Sequence, residues 1–91
     1  MKVLVLYKEK SEHRQTVEEF IREFKNLHPS SKVEMLDVDH REGMAMSSLY
    51  DVTRYPSILA LRDDGTILQV WQGDDDLPRI DDISYYALDQ G

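Results

Sequence analysis

Tyr50-Asp-Val-Thr-Arg-Tyr-Pro-Ser-Ile-Leu-Ala-Leu-Arg-Asp-Asp-Gly-Thr66 decides the fold of this 91-residue chain. Ile58-Leu-Ala-Leu61 is apolar at consecutive positions, so a strand here must be covered on both faces. Pro56 stands just before it, where a proline withholds only one ladder donor and is tolerated. Asp63-Asp-Gly65 is a hairpin signal, because glycine accepts the backbone conformation that a tight turn demands. Thr66 to Gln72 (TILQVWQ) then supplies the returning strand.

Upstream, Val3-Leu-Val-Leu-Tyr7 is a second continuously apolar run, bounded by charge. From Ser11 the pattern becomes helical: Val17, Phe20, Ile21, Phe24 and Leu27 recur at three- and four-residue steps. Ser11 is the expected cap, Glu18 can pair with Arg22, and Pro29 stops the helix. Val33 to Asp39 reads as a further strand with polar residues mixed in, as at a sheet edge. Strand, helix and strand make a βαβ unit with parallel strands and a right-handed crossover. His40 to Asp51 predicts a second helix with Met44, Leu49 and Val52 inward, a reading that Gly43 weakens. Downstream, Asp74-Asp-Asp76 is a loop and Pro78 suits a first helical turn. Asp81 and Asp82 favour the positive end of the last helix, whose inward face is Ile80, Ile83 and Ala87. The two continuously apolar strands belong in the centre of the sheet.

The chain is expected to form one domain over residues 1–91. A net charge of −7 opposes binding to phosphate backbones and anionic membranes, so neither nucleic acid nor membrane is an expected partner. The longest apolar run is far too short to cross a bilayer, and no signal-peptide pattern precedes it. The expected location is the cytoplasm. With no cysteine, disulfides, thiolate metal sites and cysteine nucleophiles are excluded.

The order β-α-β-α-β-β-α, with Tyr50-x-Val52-x-x-x-Pro56-Ser57 before an apolar strand, an Asp-Gly turn, a strand and Gly73, resembles the thioredoxin superfamily. The likeness runs through nearly the whole chain, in the short form without the extra leading strand and helix. It implies an α/β fold with a mixed four-stranded sheet in the order 2-1-3-4, flanked by three helices. It also implies a cis bond between Tyr55 and Pro56, with the backbone of Tyr55 open to a guest strand. The family's two redox cysteines lie where the first strand meets the first helix. Counting from Tyr7 puts those positions at Glu12 and Gln15, or at Ser11 and Arg14 with a one-residue gap. Neither choice holds a thiol, so the family's dithiol chemistry has no residues to carry it. The family's buried acid falls on Leu6 and its tryptophan on Ser11.

The resemblance makes Ser11, Glu12, His13, Arg14 and Gln15, together with Tyr55, Pro56 and Ser57, the candidate binding face. No catalytic residue, metal ligand or cofactor is expected. The loop is densely charged, so contact there should be polar and salt-sensitive. The reading is a non-enzymatic, redox-inactive protein-interaction module. The rival is a cysteine-independent glutathione- or anion-binding protein using Ser11 and the first helix N-terminus, as glutathione transferases use a hydroxyl. The edge strand Thr66–Gln72 leaves room for a weak homodimer as well as a monomer. Asp37, Asp39, His40 and Glu42 resemble a hard-metal cluster but read as solvated, with Asp39 capping the second helix. His28 is expected to be exposed. Tyr50, Tyr55, Trp71, Tyr85 and Tyr86 are the aromatics expected to be part-exposed.

Overall fold

In the computed structural model, which describes residues 1–89, the elements run β1 (Lys2–Tyr7), α1 (Arg14–Leu27), β2 (Lys32–Asp37), α2 (Arg41–Leu49), β3 (Ser57–Leu61), β4 (Ile67–Gln72) and α3 (Ile80–Asp89). A single 3-10 turn, Asp74–Asp76, links β4 to α3. The sheet order is β2-β1-β3-β4. β1 is parallel to β2 and antiparallel to β3, and β4 returns antiparallel beside β3. The central pair is thus the two apolar runs, Val3 to Leu6 and Ile58 to Leu61, all buried.

Alternation along these strands feeds two cores. Val3, Val5 and Ile58 face Val17, Ile21 and Phe24 of α1 and Ile83 of α3. Leu4, Leu6, Leu59 and Leu61 face Val38 and Val52, on the side of α2. Trp71 packs against the first core, and Tyr55 and Tyr50 against the second. Ile80 and Ala87 join Ile83 in the first core, as their spacing predicted.

α1 starts at Arg14 with His13 at its N-cap and no side-chain cap. Ser11 does not cap it, because its hydroxyl donates to the Lys8 carbonyl at 2.5 Å. Glu18 pairs with Arg14, one turn before it, instead of with Arg22. α2 also departs from its predicted face. Met44 and Leu49 are exposed, while Val52 is buried as predicted; the helix approaches the end of β2 at Gly43 and sends Met46 to the second core. Asp39 does not cap it; the residue at the cap is His40, and the Asp37 carboxylate accepts from the Asp39 N–H.

α2 ends in the opening stretch. The N–H of Val52 reaches the Ser47 carbonyl at 2.9 Å and that of Asp51 reaches Ser48 at 3.2 Å, the paired bonds of a Schellman motif. Asp51 holds φ of 58°, a conformation in which glycine carries no Cβ penalty. Asp51→Gly should raise stability by roughly 0.5–1 kcal/mol, a gain that a shift in urea midpoint at constant slope measures.

Both turns of the second half use positive-φ glycines, Gly65 and Gly73. In the hairpin the Asp64 carboxylate accepts from the Thr66 N–H, which holds its pKa below the usual 3.8. His28 is half-buried and not exposed. Its ring lies 5.0 Å from that of Phe24 and its Nε2 is 2.8 Å from the Ser84 hydroxyl, tying the end of α1 to α3. No described helix is long and apolar enough to cross a membrane.

Candidate functional site

The loop between β1 and α1 folds back on itself. The Lys8 N–H donates to His13 Nε2 at 3.2 Å, while the Ser11 hydroxyl donates to the Lys8 carbonyl. These two local bonds hold Ser11 and His13 half-buried and turn Glu12, Arg14 and Gln15 outward. Ser11, Glu12, Arg14 and Gln15 line one open groove of about 630 Å³, which Glu9, Lys10 and Glu18 complete. His13 turns back toward Lys8 and takes no part in that lining. Glu9 and Glu18 are members that counting from Tyr7 did not find; both approach Arg14, at 3.8 and 2.9 Å. The bond to Glu18 raises the pKa of the Arg14 guanidinium further.

Tyr55, Pro56 and Ser57 do not line this groove. The Tyr55–Pro56 peptide is cis. Pro56 and Ser57 are buried, and the Ser57 hydroxyl donates to the Arg54 carbonyl at 2.5 Å. Tyr55 alone of the three reaches the surface. Its hydroxyl donates to the Val52 carbonyl at 3.3 Å and meets the buried Ser47 hydroxyl, so its ring is fixed from below. Among the described residues, the backbone N–H and C=O of Tyr55 have no hydrogen-bond partner. Lys8 joins the two patches, with its Nζ 5.8 Å from the Tyr55 ring centroid, within reach of a cation–π contact.

Tyr7 ends β1 beneath the loop, and burial followed by the nearby Glu9 and Asp37 carboxylates pushes its pKa above 10.0. Glu9, Asp37 and His40 bring one ligand-type atom each within 4.8 Å of one another. This grouping replaces the sequence cluster, in which Asp39 and Glu42 stood where Glu9 now stands. Glu9 and His40 face solvent, and His40 Nε2 lies 3.6 Å from the Asp37 carboxylate, an ion-pair distance.

No protein-family model and no curated protein sequence matches this chain. Solved structures do. Thioredoxin 1 from Thermosipho africanus superposes with a TM-score of 0.72 at 16% identity, covering 97% of this chain and 96% of its own. Oxidised thioredoxin from Plasmodium falciparum gives 0.73 at 12% identity, over 99% and 81%. Thioredoxin O2 from Arabidopsis thaliana gives 0.74 at 12%, over 97% and 72%. The fold is thus thioredoxin-like, and a chain without cysteine carries it without the dithiol pair on which thiol–disulfide exchange depends.

Proposed function

We propose that this chain is a non-enzymatic, cytoplasmic protein-interaction module. Its docking surface is the polar loop Ser11–Gln15 with Tyr55 on the face around Pro56. The observation that carries this reading is the unpaired backbone of Tyr55 beside a groove of mixed charge. A free N–H and C=O at the surface can accept a guest strand, and the charged rim selects which strand docks.

The rival reading, a glutathione- or anion-binding site, has less support. The Ser11 hydroxyl is already engaged, and Glu9, Glu12 and Glu18 would repel an anion in the groove. The test compares affinity capture from cell lysate by the wild-type chain, by Tyr55→Ala and by a Glu12→Ala/His13→Ala/Arg14→Ala triple variant. A partner retained by the wild type should be lost from both variants and released by raised salt. Equal capture by all three would place the contact elsewhere. Saturable amide shifts confined to Ser11–Arg14 on adding glutathione would favour the rival.

A further inference from the structure

We propose that the groove between β4 and α3 receives an arginine side chain from an extended basic segment of a partner protein, which pairs along the free edge of β4. The groove holds about 420 Å³ and is lined by Gln69 and Trp71 of β4 and by Asp81, Asp82, Tyr85 and Tyr86 of α3. It lies on the α1–α3 side of the sheet, where Trp71 packs, whereas Tyr55 packs on the α2 side.

Three features choose the occupant. The first is aromatic: Tyr86 stands nearly perpendicular to both Trp71 and Tyr85, with ring centroids 5.9 and 5.2 Å away. Perpendicular rings offer π faces in different directions, and a guanidinium stacks on such faces better than an ammonium does. The second is charge. The groove's lining carries two carboxylates, Asp81 and Asp82, and no basic side chain. Asp82 is fixed in place by the Arg79 N–H, which donates to its carboxylate at 2.9 Å. Asp81 is exposed and has no ion pair among the described residues, which leaves its two oxygens for a bidentate donor. A cation held over a ring and against a carboxylate satisfies both.

The third feature is the strand. β4 ends the sheet, so its outer edge can take a further strand once the Gln69 carboxamide, which accepts from the Val70 N–H at 3.0 Å, swings aside. Gln69 and Trp71 are two residues apart and face the groove together, so an extended guest would present every second side chain to it. This separates a basic protein segment from a free amine. A second copy of this chain is a poor guest, because each copy brings a net charge of −7 and its own acidic rim.

Trp71 is the chain's one tryptophan and lines this groove, so its emission responds to an occupant there. The experiment titrates the whole chain at low salt with a short peptide alternating arginine and valine. A citrulline-for-arginine copy of that peptide and free arginine are run beside it, with amide shifts followed in β4. The arginine peptide should shift Trp71 emission saturably and move the β4 amides. Affinity should fall about tenfold or more with the citrulline peptide, in Asp81→Asn and in Tyr85→Ala. Both substitutions alter exposed side chains, so unchanged circular dichroism and melting confirm that the fold is kept.

The absence of a saturable response, or equal binding by the citrulline peptide or by both variants, would overturn the proposal. So would free arginine binding as tightly as the peptide, since strand pairing would then contribute nothing. Self-association with protected β4 amides would also overturn it, by putting a second copy on that edge. The Glu12/His13/Arg14 triple variant should titrate like wild type here, so failure of one site is distinguishable from failure of the other.

Discussion

Gly43→Ala is expected to lower stability by about 3 kcal/mol or more, because alanine's extra carbon lands on backbone. A Cβ at Gly43 would lie 2.1 Å from the Asp37 carbonyl oxygen and 2.6 Å from its carbon. No side chain can rotate aside, since the obstacle is the end of β2 itself. Two effects compete. Alanine in a helix interior gains about 1 kcal/mol over glycine from propensity alone. The clash forces α2 off the sheet, and that loss outweighs the gain. In a domain of this size the total margin is roughly 5–14 kcal/mol, and such a loss lowers Tm by roughly 10–20 °C. Ser48→Ala, at an exposed position of the same helix, supplies the control and should be neutral or slightly stabilising. Thermal melts of the three proteins decide the matter. A Gly43→Ala melting point at or above wild type would mean that α2 does not sit this close to β2.

The same glycine marks the boundary of what the sequence could reveal. Val3–Tyr7 and Ile58–Leu61 announced themselves as central strands, because four or more consecutive apolar residues need cover on both faces. The helical stripe of α1 and the Asp-Gly hairpin were equally local signals, whereas the sheet order 2-1-3-4 came from the resemblance carried by the Tyr50–Ser57 segment. α2 was not legible in this way. It meets the end of β2 through a missing side chain and the second core through Met46, so the search for large apolar residues pointed at Met44 and Leu49, which face solvent. Ser11 looked like a cap because the residue type is right. The choice between capping α1 and bonding Lys8 depends on the path of the loop, which no spacing rule supplies. His28 was misjudged for the related reason that its partner Ser84 is 56 residues away.

Site residues divide along the same line. Counting from Tyr7 found Ser11, Glu12, Arg14 and Gln15, which do share a groove, because they follow β1 directly. Glu18 enters only because one helical turn brings it back over Arg14. The three-residue run at the proline splits by burial. Ser57 begins a central strand, and both it and Pro56 just before it are buried, which leaves Tyr55 as the member able to touch a partner. Trp71, Tyr85 and Tyr86 were visible as aromatics, but their convergence depends on how α3 docks beside β4.

That docking is what Phe24→Ala should undo, at a cost of about 3–5 kcal/mol. Phe24 is fully buried in the first core with Val3, Val5 and Ile58 of the sheet and with Ile83 of α3, so its truncation leaves a void where three elements meet. The expected fall in Tm is roughly 15–30 °C. Loss should not be uniform. The Phe24 ring is also the surface on which His28 rests, and His28 holds Ser84. Removing the ring frees the imidazole, and the link from α1 to α3 goes with it. Hydrogen exchange should then show α3 amides losing protection before those of β1 and β3. Trp71 emission should shift toward that of a solvated indole as Tyr86 withdraws, since Tyr86 reaches Trp71 only while α3 is docked. His28→Ala alone removes one part-buried hydrogen bond and should cost about 1 kcal/mol. If the imidazole acts through the ring, the double variant should lose less than the sum of the two single losses. Additive losses, with α3 protection and Trp71 emission intact in Phe24→Ala, would mean that Ile83 and its sheet contacts hold α3 without help from α1.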